Sequence, residues 1–214
     1  MIAAAAALLP LSLTACGGSE ASSDSGETAA SYPVQVVGAS FPARQRLGQT
    51  SLLRVGVRNS GRRTIPALTV TISIAGREGQ ASSLPFGIRS PQPGLARPDR
   101  PVWVLNAKYP RLAGASISAG AEGSAHKTFD FGPLKPGATT DVVWKLSAVR
   151  AGRYTLLFRV GAGLGGKARA VGAGGVAAGG SLTAQVSAVP PELTVSGSGK
   201  VVEIQKGKGA GEGG

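Results

Sequence analysis

From Val34 onward the chain repeatedly alternates apolar and polar positions, which is the period of a half-buried strand and not of a helix. The cleanest run sets Leu68, Val70, Ile72 and Ile74 against Thr69, Thr71 and Ser73. Leu53, Val55 and Val57 alternate with Arg54, Gly56 and Arg58. Val142, Trp144 and Leu146 alternate with Val143, Lys145 and Ser147. Tyr154, Leu156, Phe158 and Val160 alternate with Thr155, Leu157 and Arg159, and Leu182, Ala184, Val186 and Ala188 with Thr183, Gln185 and Ser187. Residues 34–37, 102–106, 128–131 and 201–204 are shorter candidates. No stretch sustains a helical period with caps, and 33 glycines and 14 prolines oppose helix throughout. Seven to nine short strands with one apolar face each must bury those faces against one another. The pattern therefore predicts two packed sheets, with a barrel as the competing solution.

The N-terminus follows a different rule. Residues 2–15 read IAAAAALLPLSLTA, almost wholly apolar and shorter than the roughly 20 residues of a membrane-spanning helix. Such a run fits the apolar part of a cleaved secretory signal. Leu13-Thr14-Ala15-Cys16 then resembles a bacterial lipobox, in which the cysteine takes a diacylglyceryl group and becomes the new N-terminus. Two acyl chains anchor stably where one alone is marginal. Residues 17–31 hold no large apolar side chain and read as a solvated tether. No basic residue precedes the apolar run, so the natural start is expected upstream of Met1. The expected organisation is a signal peptide at 1–15, lipidated Cys16 and tether at 16–31, one folded domain at 32–205 and a disordered tail at 206–214.

Charge sharpens the expectation of partners. The chain carries a net charge of +12, yet no Lys or Arg precedes Arg44. Beyond Ser31 there are 23 basic and eight acidic side chains. A surplus of that size favours anionic envelope polymers or anionic lipid headgroups. Export argues against nucleic acid. Cys16 is the single cysteine, which rules out an internal disulfide and a paired-thiol redox site.

Three segments carry a family resemblance: Arg54–Gly61 (RVGVRNSG), Leu134–Gly137 (LKPG) and Ala151–Tyr154 (AGRY). They resemble the strand, turn and corner motifs of the bacterial immunoglobulin-like modules named for cell adhesion, the CARDB-like envelope domains. The resemblance implies an all-β, immunoglobulin-like β-sandwich at the cell surface, and it implies no reaction. Residues 76–101 depart from the compact module as a long insertion.

Candidate chemistry is sparse. Residues 161–167 (GAGLGGK) match the glycine spacing of a phosphate-binding loop, but that chemistry needs a helix next, whose N-terminal amides hold the phosphate. The sequence that follows is ARAVGAGGVAAGG, and Ala168 stands where a Mg²⁺-binding hydroxyl belongs. A flexible glycine-rich hairpin loop is expected there instead. His126 is the only histidine, and Ser124 lacks the strained turn of a nucleophile. Asp99, Asp130 and Asp141 are the acids that folding could bring together. No metal or cofactor site is expected. Trp144 is expected in the core and Trp103 is the better candidate for exposure. The irregular stretches 76–101 and 107–127 are the candidate binding loops, presenting Phe86, Arg89, Arg97, Arg100, Tyr109 and Arg111, with Trp103 added from the short candidate strand between them. The expected function is a membrane-anchored, extracytoplasmic, non-catalytic binding or structural module, adhesion-like, facing anionic envelope polymer, lipid headgroups or another envelope protein. The alternative is a lipid-anchored hydrolase or accessory subunit that uses spatially clustered carboxylates.

Overall fold

The computed structural model describes residues 27–76, 86–88, 101–115, 122–123, 128–189 and 193–203. The leader, Cys16, Arg89, Arg97, Asp99, Arg100, Ser124, His126 and the tail lie outside the described residues. The chain opens with β1 (Ala30–Ser40), β2 (Arg44–Arg46), β3 (Thr50–Asn59) and β4 (Thr69–Ile74). Short pieces follow: β5 (Phe86–Ile88), β6 (Trp103–Leu105), β7 (Arg111–Leu112), β8 (Glu122–Gly123) and β9 (Thr128–Asp130). Then come β10 (Thr139–Ala148), β11 (Gly152–Gly161), β12 (Ala168–Val171) and β13 (Gly179–Ser187), and finally β14 (Leu193–Val195) and β15 (Val201–Glu203). Six strands of six to eleven residues, β1, β3, β4, β10, β11 and β13, carry the architecture.

One sheet runs β12-β1-β3-β10-β6-β5, with β7 also on β10, and the other runs β2-β13-β11-β4-β9-β8. The chain crosses between sheets from β3 to β4 and again from β10 to β11. The result is an immunoglobulin-like β-sandwich. Its start serves both sheets: β1 lies antiparallel to β3, while β2 pairs parallel with β13. The inward parity follows the sequence alternation, with Leu53, Val55, Val57, Val142, Trp144 and Leu146 from one sheet buried against Val70, Ile72, Leu156 and Ala184 from the other.

The three motifs each hold a turn. Asn59 is fully buried, and its amide donates to the carbonyls of Arg63 and Leu134 while its Oδ1 accepts the Gly61 N–H. It thereby ties the turn after β3 to the one before β10. The Tyr154 hydroxyl donates to the Ala151 carbonyl at 2.7 Å, a tyrosine corner at the start of β11.

Several expectations need correction. Trp103 is buried, not exposed. Its ring meets Phe41 and Tyr154 edge-on at 5.4 and 5.6 Å, and its indole N–H donates to buried Gln45 at 2.9 Å. A polar partner on β2 therefore decided a parity that Val102 and Val104 left open. Phe86 is buried too, on β5, a parallel partner of β6. Neither ring is presented to solvent. The 162–178 connection is no simple hairpin loop. Although β11 and β13 do pair, the connection leaves their sheet and places β12 parallel to residues 30–33 of β1 in the other sheet. Accordingly β1 begins at Ala30, ahead of the expected boundary at 32.

Candidate functional site

Of the expected binding residues, Tyr109 and Arg111 come together. Arg111 stacks over the Tyr109 ring at 4.5 Å and donates to its hydroxyl at 2.9 Å. Both are half-buried, and β7 sets Arg111 beside Val143, across β10 from Arg54, on the outer face of the first sheet. The stacking and the one bond hold the guanidinium against its neighbour's ring on that face. It does not join Phe86 and Trp103, which are in the core.

The outer face of the second sheet is more distinctive. Cross-strand register lays its side chains in rows. Arg44, Gln185 and Arg153 form one row, and Thr183 and Thr155 the next. Ser181, Leu157 and Ser73 form a third, Arg159, Thr71 and Thr128 a fourth, and Thr69 and Asp130 a fifth. The Thr71 and Thr128 hydroxyls meet at 2.8 Å. Arg44, Arg153 and Arg159 are exposed, and Asp130 is the acid placed by these rows. Six residues separate Arg153 from Arg159 along β11, about 20 Å at strand rise. A hollow opens at each end. One of about 500 Å³ is lined by Thr71, Thr128, Arg159, Arg169 and the glycine-rich turn. The other, of about 540 Å³, is lined by Arg44, Gln45, Arg46, Gln49, Gln185 and Ser187. None of these rows was singled out from sequence as a site, because only the strand register turns scattered Thr and Arg into one surface.

The glycine-rich turn at 161–168 behaves as the chemistry of its sequence requires. A strand, β12, follows Lys167 where a nucleotide-binding loop would need a helix. Its amides nevertheless hold an anion: the Glu27 carboxylate accepts N–H bonds from Gly165 at 2.6 Å and from Ala168. Gly163 makes the approach possible, since a Cβ there would collide with the Glu27 carboxyl group. Glu27 was expected in a solvated tether.

The acids do not converge. Asp130 is on the outward side of β9 and its Oδ1 accepts the Gly132 N–H, while Asp141 is on the outward side of β10, in the other sheet. These two therefore lie on opposite faces of the sandwich. Among the described residues no group of three His, Cys, Asp or Glu side chains is placed to hold a metal ion.

No family model matches the chain, and no curated protein matches it in sequence. Among solved structures it is similar to the CARDB domain of a Pyrococcus furiosus protein, described in complex with di-metal ions. The two are 11% identical over 73% of this chain and 86% of that one, with a TM-score of 0.39. It is also similar to a cohesin module from a Clostridium perfringens family 33 glycoside hydrolase, at 9% identity over 74% and 98%, TM-score 0.40. AvmM, described as catalysing macrocyclization in alchivemycin A biosynthesis, is similar at 14% identity over 73% and 92%, TM-score 0.39. None of these likenesses lends the chain a ligand or a reaction.

Proposed function

We propose that this chain is a non-catalytic binding module of the bacterial envelope, held on the extracytoplasmic face of a membrane by lipid on Cys16. Its second sheet engages an extended anionic polymer that also carries hydroxyls. The carrying observation is the outer face of that sheet, where Arg44 and Arg153 stand at one end, Arg159 at the other with Arg169 of β12 lining the hollow beside it, and the hydroxyls of Thr155, Thr183, Ser181 and Ser73 between. Guanidinium groups pair with phosphate or carboxylate oxygens in two-point geometry. Hydroxyls both donate and accept, which suits a polyol backbone. A face about 20 Å long with cationic ends fits several successive units of a polymer better than one small molecule.

The test is association of the full chain with long-chain polyphosphate across a salt series. Affinity is expected to fall steeply as salt rises, because paired phosphates release counterions. Joint Arg153→Gln, Arg159→Gln and Arg169→Gln substitution should weaken binding at least about tenfold, given 1.4 kcal/mol per decade and charge-assisted bonds of about that size. Arg54→Gln with Arg58→Gln, on the opposite face, should leave it within about twofold. Equal losses on both faces, or binding indifferent to salt, would overturn the reading.

One observation favours a second reading, a subunit of an envelope complex. Val195, Val201 and Val202 are exposed on the β14–β15 pair, and two-stranded sheets are marginal alone. Self-association of the full chain in sedimentation, lost on Val195→Thr with Val201→Thr, would support it. A monomer at every concentration would count against self-association through this hairpin.

A further inference from the structure

The turn at 161–168 joins β11 to β12, and two of its backbone amides converge on one carboxylate. Backbone N–H groups that converge on one point form an anion-binding concavity, and Gly166, between the two donors, takes the left-handed conformation that turns the chain there, at φ +76°. The turn is held in place from outside: Thr69 Oγ donates to the Gly163 carbonyl at 3.2 Å, and the Ala30 N–H donates to the Lys167 carbonyl at 3.3 Å. The cradle is therefore built by the sandwich, and Glu27 fills it.

The charge around it exceeds what Glu27 supplies. Lys167 and Arg169 flank the amides on the chain itself, both exposed, and Arg159 lines the adjoining hollow together with Arg169. One carboxylate brings a single negative charge, whereas a phosphate group brings about −1.5 to −2 near neutral pH and three acceptor oxygens. Glu27 stays because it is attached. Its segment runs directly into β1, so its effective concentration at the turn is on the order of millimolar or more.

We propose that the 161–168 turn is a self-occupied oxyanion site: Glu27 holds the place of a phosphate group and leaves when one binds. The site adjoins the Arg159 end of the basic face described above, but the exchange is a property of the folded chain and holds whether or not a polymer is the partner. An external phosphate competes with the tethered carboxylate, so its apparent affinity is lowered by the fraction of time the turn stands open.

The experiment is an amide NMR titration of the full chain with inorganic phosphate at constant ionic strength, following Gly165 and Ala168. The wild type is expected to show saturable shifts at both amides. Glu27→Gln removes the competing charge, and if the turn is open about a tenth of the time, phosphate should bind about tenfold tighter. Gly163→Ala places a methyl group where the carboxylate sits and should abolish the saturable shift at Gly165. The clash there is with the end of a flexible side chain, so the fold is retained, which the remaining amide spectrum reports. Phosphate binding no tighter in Glu27→Gln than in wild type, or undiminished in Gly163→Ala, overturns the proposal. A parallel polyphosphate titration separates the two readings: loss of polymer binding with phosphate exchange intact would sink the polymer and leave the site.

Discussion

Replacing Trp103 by Phe tests how the buried tryptophans divide the work of the core. Both indoles are fully buried and both sit edge-on to two aromatic neighbours, Phe41 and Tyr154 for Trp103, Phe129 and Phe131 for Trp144. They differ in one bond. Trp103 donates to Gln45 at 2.9 Å, whereas Trp144 Nε1 has no hydrogen-bond partner among the described residues. Each Trp→Phe change loses similar ring volume. Only Trp103→Phe also strands a buried acceptor, which costs about 1–3 kcal/mol. Urea unfolding should therefore show Trp103→Phe less stable than Trp144→Phe by about 2 kcal/mol at unchanged m-value. Adding Gln45→Leu removes the stranded oxygen, and the cycle should return a coupling of about 1–2 kcal/mol. Pro42, whose carbonyl accepts the other end of the Gln45 amide, is exposed, so water can replace that bond. Equal destabilisation by the two single changes, or a coupling near zero, would refute the reasoning.

Three further outcomes follow from named contacts. Asn59→Ala should cost about 3 kcal/mol in chemical denaturation, because it removes three hydrogen bonds of about 1 kcal/mol each, to Arg63, Leu134 and Gly61, and frees the turns they hold, while the Leu134 carbonyl keeps the Ile65 N–H. Tyr154→Phe should lower stability by about 1 kcal/mol, read as a shift in Tm, since it removes the bond to Ala151 while keeping the ring against Trp103. Gly179→Ala should cost about 2–3 kcal/mol and loosen β11 from β13 in amide exchange, because its Cβ would collide with the Phe158 backbone carbonyl, which cannot swing away.

What could be read from the sequence was whatever is local. The alternation at 68–74 announced β4 because its period is set by the pleat alone. Asn59-Ser60-Gly61 and Ala151-Gly152-Arg153-Tyr154 announced their turns because each closes a hydrogen bond within a few residues. The rest depended on distant partners. Residues 168–171, ARAV, offer too little apolar bulk to mark a strand, and β12 exists because Ala168 and Ala170 fit against β1, 138 residues earlier in register. Trp103 had apolar neighbours on both sides, and Gln45 settled which way it turned. Glu27 lay in a polar run whose composition gave no sign that two amides some 140 residues on would hold it. The basic hydroxyl face was equally silent, since Arg44, Thr71, Thr128 and Arg159 belong to four strands.

The proposed role depends on that face being carried to a membrane surface by Cys16. The direct measurement is the intact mass of the protein extracted from the membranes of cells that express it. The account predicts a polypeptide that begins at Cys16 and is heavier than its sequence by a diacylglyceryl group. A chain that keeps residues 1–15 and an unmodified thiol would contradict it.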